Sequence, residues 1–177
     1  MAAEADDGTA ESGKLRGKNM LKLFNLCLIL LLIGGCFEKS KDDLSIMTKS
    51  GEVKYSVETA VSAEELQTGL MNREHLDENS GMIFDLSFSG EKITSMWMKN
   101  TKIPLDMLFL DINGKVVWIY ENAIPYSESL ITPPIAAPYV VELNAGQVHK
   151  NNIQVGDIVK HRLIKPKAEH KDPEVHK

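Results

Sequence analysis

The stretch DMLFLDINGKVVWIY, residues 106–120, is the part of the chain whose reading decides the fold. Asp106 to Asp111 and Val116 to Tyr120 are rich in large aliphatic, β-branched and aromatic residues, the types that fit a pleated, half-buried surface. Asn113-Gly114 between them tolerates the positive φ that tight hairpin turns require. The pattern predicts a β-hairpin.

Working outward toward the N-terminus, Val53, Tyr55, Val57, Thr59 and Val61 alternate with Lys54, Ser56, Glu58 and Ala60, the period of a half-buried strand. Ser62 followed by Glu65 is a capping box, so a short helix starts there, with Leu66, Gly69, Leu70 and Met71 as its apolar stripe. Asn72 to Ser80 is a polar loop. Gly81 opens a second strand, Met82 to Leu86, and the Ser89-Gly90-Glu91 turn leads to a third, Ile93 to Lys99. On the C-terminal side, Pro125 to Pro138 is too proline-dense for a central strand or a helix. Tyr139 to Leu143 reads as a strand broken by Ala145-Gly146, and Ile158 to Ile164 as a last strand after Gly156-Asp157. Short strands with one or two short helices predict an α+β, β-dominated domain, built as a small closed or partly closed barrel. Its expected limits are residues 53 and 164.

Composition restricts what this domain can do. With 43% hydrophobic residues among 177, there is material for one core. The net charge is −5, and the four basic and four acidic residues of the first 35 cancel, so the rest of the chain also carries −5. A mildly acidic domain without a basic block is a poor partner for nucleic acid, whose phosphates need clustered Lys and Arg. Both cysteines, Cys27 and Cys36, precede the domain. An internal disulfide, a thiol nucleophile and a Cys-type zinc site are thereby excluded from it. No cofactor is expected.

Residues 20–36, MLKLFNLCLILLLIGGC, have the order of a signal peptide: Lys18 and Lys22, an apolar run from Leu26 to Ile33, then small Gly34 and Gly35 before Cys36. The apolar run falls well short of the about 20 residues a spanning helix needs. Ile33-Gly34-Gly35-Cys36 resembles the lipobox of bacterial lipoproteins, which implies cleavage before Cys36 and membrane attachment through lipid on that cysteine. It departs from the commonest pattern in having Ile33 for Leu and Gly34 for Ala or Ser. Phe37, rather than Asp, follows the cysteine, which favours the outer over the inner membrane in an envelope of the enterobacterial type. Residues 1–19 are polar and non-periodic, unlike any signal peptide, and translation is expected to start at Met20. Residues 36–52 read as a polar tether. Residues 165–177 read as a disordered charged tail. Histidines 161, 170 and 176 are irregularly spaced, as expected of solvated residues and not of metal ligands.

Gly69 to Arg73, Gly81 to Phe84 and Trp97 to Asp106 form a series of motifs, in that order, that resembles the domain-of-unknown-function family 192 of bacteria and archaea. Gly69-Leu70-Met71-Asn72-Arg73 matches Gly-Leu-Met-x-Arg, and Gly81-Met82-Ile83-Phe84 matches Gly-Met-Leu-Phe. Trp97 to Asp106 matches Trp-Met-Lys-Asn-Thr-x-Ile-Pro-Leu-Asp, followed by Val141 to Gly146 and Gly156-Asp157. The resemblance spans about Val53 to Val159. It implies a compact β-rich fold and, in many members, an export signal, but no activity, substrate or catalytic residue.

The residues themselves suggest one candidate pocket. If Pro104 enforces a turn, Lys99 and Asn100 come near Asp106, with Arg73 and Glu142 as additions. Lys99 and Arg73 would hold an anionic group, Asn100 would donate hydrogen bonds, and Trp97 would offer a stacking face. The competing reading is structural: Lys99–Asp106 an ion pair, Asn100 and Thr101 turn-formers, Trp97 a core residue. Other chemistry is thinner. His75 and His149 lack a nucleophile-elbow context. His75-x-Asp77-Glu78 is a weak metal motif, and Asp111, Asn113 and Gly114 lack the remaining ligands of a calcium loop. Three functions are therefore weighed. The first is an envelope module for a small ligand. The second is an enzyme using Asp106 or Glu142 as acid–base with Lys99 as electrostatic stabiliser. The third is an interaction protein presenting Pro125–Pro138 to another envelope protein.

Overall fold

The computed structural model describes residues 41–88 and 95–165. The expected extension, signal peptide and Cys36, the Ser89-Gly90-Glu91 turn and residues 166–177 lie outside the described residues.

β1 (Asp42–Thr48) and β2 (Gly51–Ala60) form an antiparallel hairpin with Asp42 opposite Val57 and Thr48 opposite Gly51. The domain thus begins well before residue 53, and much of the expected tether is a strand. Leu44 and Ile46 are buried while Met47 is exposed. The two-residue period is present, but Lys41, Asp42, Asp43 and Lys49 dilute it and make the segment look solvated.

α1 (Ala63–Thr68) begins as the capping box requires. The Ser62 hydroxyl accepts from the Glu65 N–H, and the Glu65 carboxylate accepts from the Ser62 N–H at 3.0 Å. β3 (Ser80–Asp85) then runs parallel to β2. β4 (Leu105–Leu110) and β5 (Val116–Ala123) are the expected hairpin. β6 (Tyr139–Asn144) lies between β3 and β4, antiparallel to both. After α2 (Gln147–Lys150), β7 (Ile158–Lys160) pairs with β1. The order across the sheet is β5-β4-β6-β3-β2-β1-β7.

One expectation needs correcting. In the described part of the expected Ile93–Lys99 strand there is only a single bridge, Met96 to Ile131. Met96 and Met98 are buried and Trp97 is more exposed, which imitates a strand. Their partner, however, is the proline-rich loop, which cannot supply a ladder of N–H donors. The hairpin turn forms at Asn113-Gly114 as expected. Gly114 alone takes the left-handed conformation, with φ +81, and its N–H donates to Asp111 O at 3.0 Å. The Asp111 carboxylate accepts the N–H groups of Asn113 and Lys115 at 2.8 and 2.9 Å. This is a type I turn completed by a left-handed glycine.

The sheet curls until its two edge regions meet. The Val159 N–H donates to Gly114 O at 2.8 Å, Gly156 N–H to Val116 O at 2.8 Å, and Val116 N–H to Asp157 O at 2.9 Å. The concave side encloses one core that includes Leu44, Ile46, Tyr55, Val57, Ile83, Leu108 and Val141. A second core lies on the other face of the central strands, where Met82, Phe84, Leu105, Met107, Phe109 and Val140 are covered by Leu70, Leu76, Met96, Met98, Ile131 and Ala137. β4 is consequently buried at all six positions. Burial on both faces replaces alternation by a continuous apolar run.

Gly114 is where turn and closure coincide. A Cβ there would lie 2.4 Å from Val159 O, whereas one at Gly156 (φ +104) would meet nothing within 4 Å. Gly156→Ala therefore carries only the backbone strain, about 1–2 kcal/mol. Gly114→Ala adds a clash with backbone and is expected to lower the denaturant-measured unfolding free energy by clearly more. Equal losses in the two variants would contradict this closure.

Candidate functional site

The outer face of the sheet carries two acidic side chains in one cross-strand row. Glu58 on β2 stands opposite Met82 on β3, Met82 opposite Glu142 on β6, and Glu142 opposite Met107 on β4. With strands spaced by about 4.8 Å, Glu58 and Glu142 are roughly 9–10 Å apart at their Cα atoms. Both are buried beneath the outer layer.

That layer is shaped by Gly69. Its φ of +46 ends α1, and a Cβ would come within 3.1 Å of the Phe84 ring. The chain can thus pass close over β3, bury Leu70 and deliver Arg73 back to the sheet. The Arg73 guanidinium donates to Glu58 Oε2 at 2.7 Å, and the Glu58 side chain is only 4% exposed. Removing either partner of such a pair strands a buried charge, typically at 3–5 kcal/mol. Arg73 is committed to the protein and is not a free anion receptor. Glu58 is not legible as a buried acid in the sequence, because its place in the β2 alternation is that of a solvent-facing residue.

Glu142 meets its burial differently. It has no hydrogen-bond or ion-pair partner among the described residues, and burial pushes its carboxyl up to about 8. Glu142 lines a small cleft of about 20 Å³ together with Leu66, Gln67, Thr68, Gly69, Leu70, Met71, Phe84, Met96, Trp97 and Thr101. A volume of that size holds about one water-sized group. Trp97, 36% exposed, forms one wall. The Lys99 ammonium sits 5.1 Å from the centroid of the Trp97 ring, a cation–π arrangement.

Asn100 stands at a turn, φ +53, and its carbonyl accepts the N–H of Asn72, itself at φ +62. This bond, 2.8 Å long, ties the Gly69–Arg73 turn to the Trp97–Thr101 turn. Thr101 is buried, and its carbonyl accepts from the Tyr126 N–H at 3.1 Å.

Asp106 does not join these residues. It faces the concave core, fully buried, on the opposite side of β4 from Met107. Its Oδ1 accepts the Asn122 N–H at 3.0 Å and its Oδ2 the Val148 N–H at 2.9 Å. Between the Leu105–Ala123 and Met107–Tyr120 pairs, β5 has two residues against the single Asp106 of β4. Asp106 thus satisfies a bulge on one side and the start of α2 on the other. The expected approach of Lys99 to Asp106 is corrected: a residue on a strand cannot serve both faces of the sheet. Near Asp106, Tyr55 donates to Gln147 Oε1 at 3.1 Å, and Asn151 Nδ2 donates to the Tyr55 hydroxyl at 3.0 Å. Burial pushes the Tyr55 hydroxyl up to about 12. This network closes one end of the barrel.

With this geometry in place, residues 45–161 match the family model of domain-of-unknown-function family 192, described as "Uncharacterized ACR". The chain belongs to that family. Among curated proteins, none matches it with significance. Two crystal structures are similar. One is of a candidate transcription regulator from Sinorhizobium meliloti 1021, 38% identical, with a TM-score of 0.66, covering 71% of this chain and 97% of that one. The other is of a protein of unknown function from Novosphingobium aromaticivorans DSM 12444, 29% identical, with a TM-score of 0.67, covering 73% and 91%.

The isolation of Glu142 has a thermodynamic signature. Its folded-state pKa lies above the ordinary value of 4.5, so between about pH 4.5 and 8 the folded chain holds a proton that the unfolded chain has released. Stability from this group is full at low pH and falls by about 1.4 kcal/mol per pH unit across that window. Glu142→Gln cannot lose a proton. Denaturant unfolding from pH 5 to 8 is expected to show the variant gaining stability relative to the parent as pH rises. A pH-independent difference would contradict an unpartnered Glu142.

Proposed function

We propose that this member of family 192 is an exported lipoprotein, anchored through Cys36, whose domain binds a small ligand in the cleft beside Glu142. Support for the anchor is the order of basic, apolar and small residues before Cys36. Several acyl chains, each CH₂ contributing about 0.8 kcal/mol on burial, would hold the protein firmly to a bilayer. The outer membrane is favoured by Phe37.

The observation that carries the binding reading is Glu142, buried, unpartnered among the described residues and lining an open cleft. Its carboxyl opens on the cleft without a protein partner among the described residues, so a ligand donor there would supply the hydrogen bond that the fold does not. Trp97 and the apolar wall residues supply contact area, and Glu142 supplies orientation.

An enzymatic reading draws support from the same carboxyl, because an acid titrating near neutrality suits proton transfer. Among the described residues no second acid is free beside it: Glu58 is tied to Arg73, and Asp106 faces the other core. The regulator described for the Sinorhizobium protein is not extended to this chain, whose charge of −5 disfavours nucleic acid.

Two outcomes are expected. Fatty-acid metabolic labelling of the expressed chain is lost in Cys36→Ala; labelling that survives contradicts the anchor. In a thermal-shift screen of small metabolites, a ligand that raises the Tm of the parent chain raises that of Trp97→Ala by less. Equal stabilisation of both would place the ligand elsewhere.

A further inference from the structure

Resting on the reading of this cleft as a binding site, we infer that the group it takes is a primary alkylammonium, the amino end of a small organic cation. Size sets the first limit: about 20 Å³ accepts one non-hydrogen head group and leaves the remainder of a ligand outside. Chemistry sets the second. An ammonium carries three donors and no acceptor, which is what an unpartnered carboxyl requires.

The alternatives fit less well. An anion would meet Glu142 with no cation to receive it, because Arg73 is held by Glu58 and Lys99 rests on Trp97. A hydrocarbon would fill the space and leave the carboxyl unsatisfied. The other side-chain oxygens of the cleft wall, on Gln67, Thr68 and Thr101, are uncharged, and no group of three or more His, Cys, Asp and Glu residues placed to hold a metal occurs among the described residues. Met71, Met96 and Phe84 offer apolar surface for the alkyl stem.

Binding then involves a proton. Glu142 is neutral at rest at pH 7. The incoming ammonium keeps its own proton and displaces that of Glu142 to solvent, leaving a carboxylate–ammonium pair. The group that loses the proton has a raised pKa, so affinity rises about tenfold per pH unit below about 8 and levels off above it.

The test is calorimetric titration of the full chain with n-butylammonium chloride from pH 6 to 9, in two buffers of different ionisation enthalpy. n-Butanol serves as the neutral isostere. The expected result is binding of the ammonium with release of about one proton at pH 7 and roughly tenfold tightening from pH 6 to 7. Butanol does not compete, and Glu142→Gln loses the binding. Absence of butylammonium binding, equal binding of butanol, or binding without proton release overturns the inference. The proton count in the parent chain decides the matter even if Glu142→Gln fails to fold. If butylammonium fails while another ligand gives a Trp97-dependent thermal shift, the ammonium assignment falls and the cleft reading stands. If no ligand gives such a shift, both fall.

Discussion

The central strands of this sheet have no solvent face, and the rest of the architecture follows from that constraint. One side of β3, β6 and β4 closes on the barrel core, and the other is covered by chain with little regular secondary structure. That cover has to satisfy its own backbone groups without a ladder of its own. It does so by isolated contacts: Met96 with Ile131, Met98 N–H to Ser127 O, Asn72 N–H to Asn100 O and Tyr126 N–H to Thr101 O. The asparagines at left-handed φ and the glycine over Phe84 are the residue types such abrupt turns demand. Side chains that would be exposed on an ordinary antiparallel sheet are here sealed under a second layer.

Two acids in one row experience the same sealing and are accommodated in different ways. Glu58 keeps its charge, because Arg73 reaches down from a half-exposed position to pair with it. Glu142 has no such partner among the described residues, and burial favours its protonated form. The contrast separates a structural acid from a candidate binding acid more sharply than exposure does, since both are buried. Asp106 is a third case: two backbone N–H donors hold it in place, and it acts within the fold.

Legibility in the sequence followed the same physics. The capping box at Ser62–Glu65, the Asp111–Lys115 hairpin region and the β6 strand depend on neighbouring residues, and each was readable from a few positions. The β-dominated, partly closed fold followed from them. β1 was hidden because two buried residues among charges do not form a convincing period. The expected strand through Trp97 had the right alternation and the wrong partner. Glu142 and Trp97 line one cleft on the outer face, whereas Arg73 is paired with Glu58. Asp106 was misplaced because reading a turn at Pro104 does not reveal which face a following strand presents, and a one-residue change of register reverses it.

Family membership places this arrangement within a wider set of chains, while the proposed activity depends on the condition of a single carboxyl. The direct measurement is a carbon-13 NMR titration of the Glu142 side-chain carboxyl in the full chain, with Glu142→Gln identifying the resonance. A midpoint of about 8 is predicted, with the group protonated at neutral pH. A midpoint in the ordinary range near 4.5 would mean that the carboxyl is solvated or paired, and would contradict the account of the cleft.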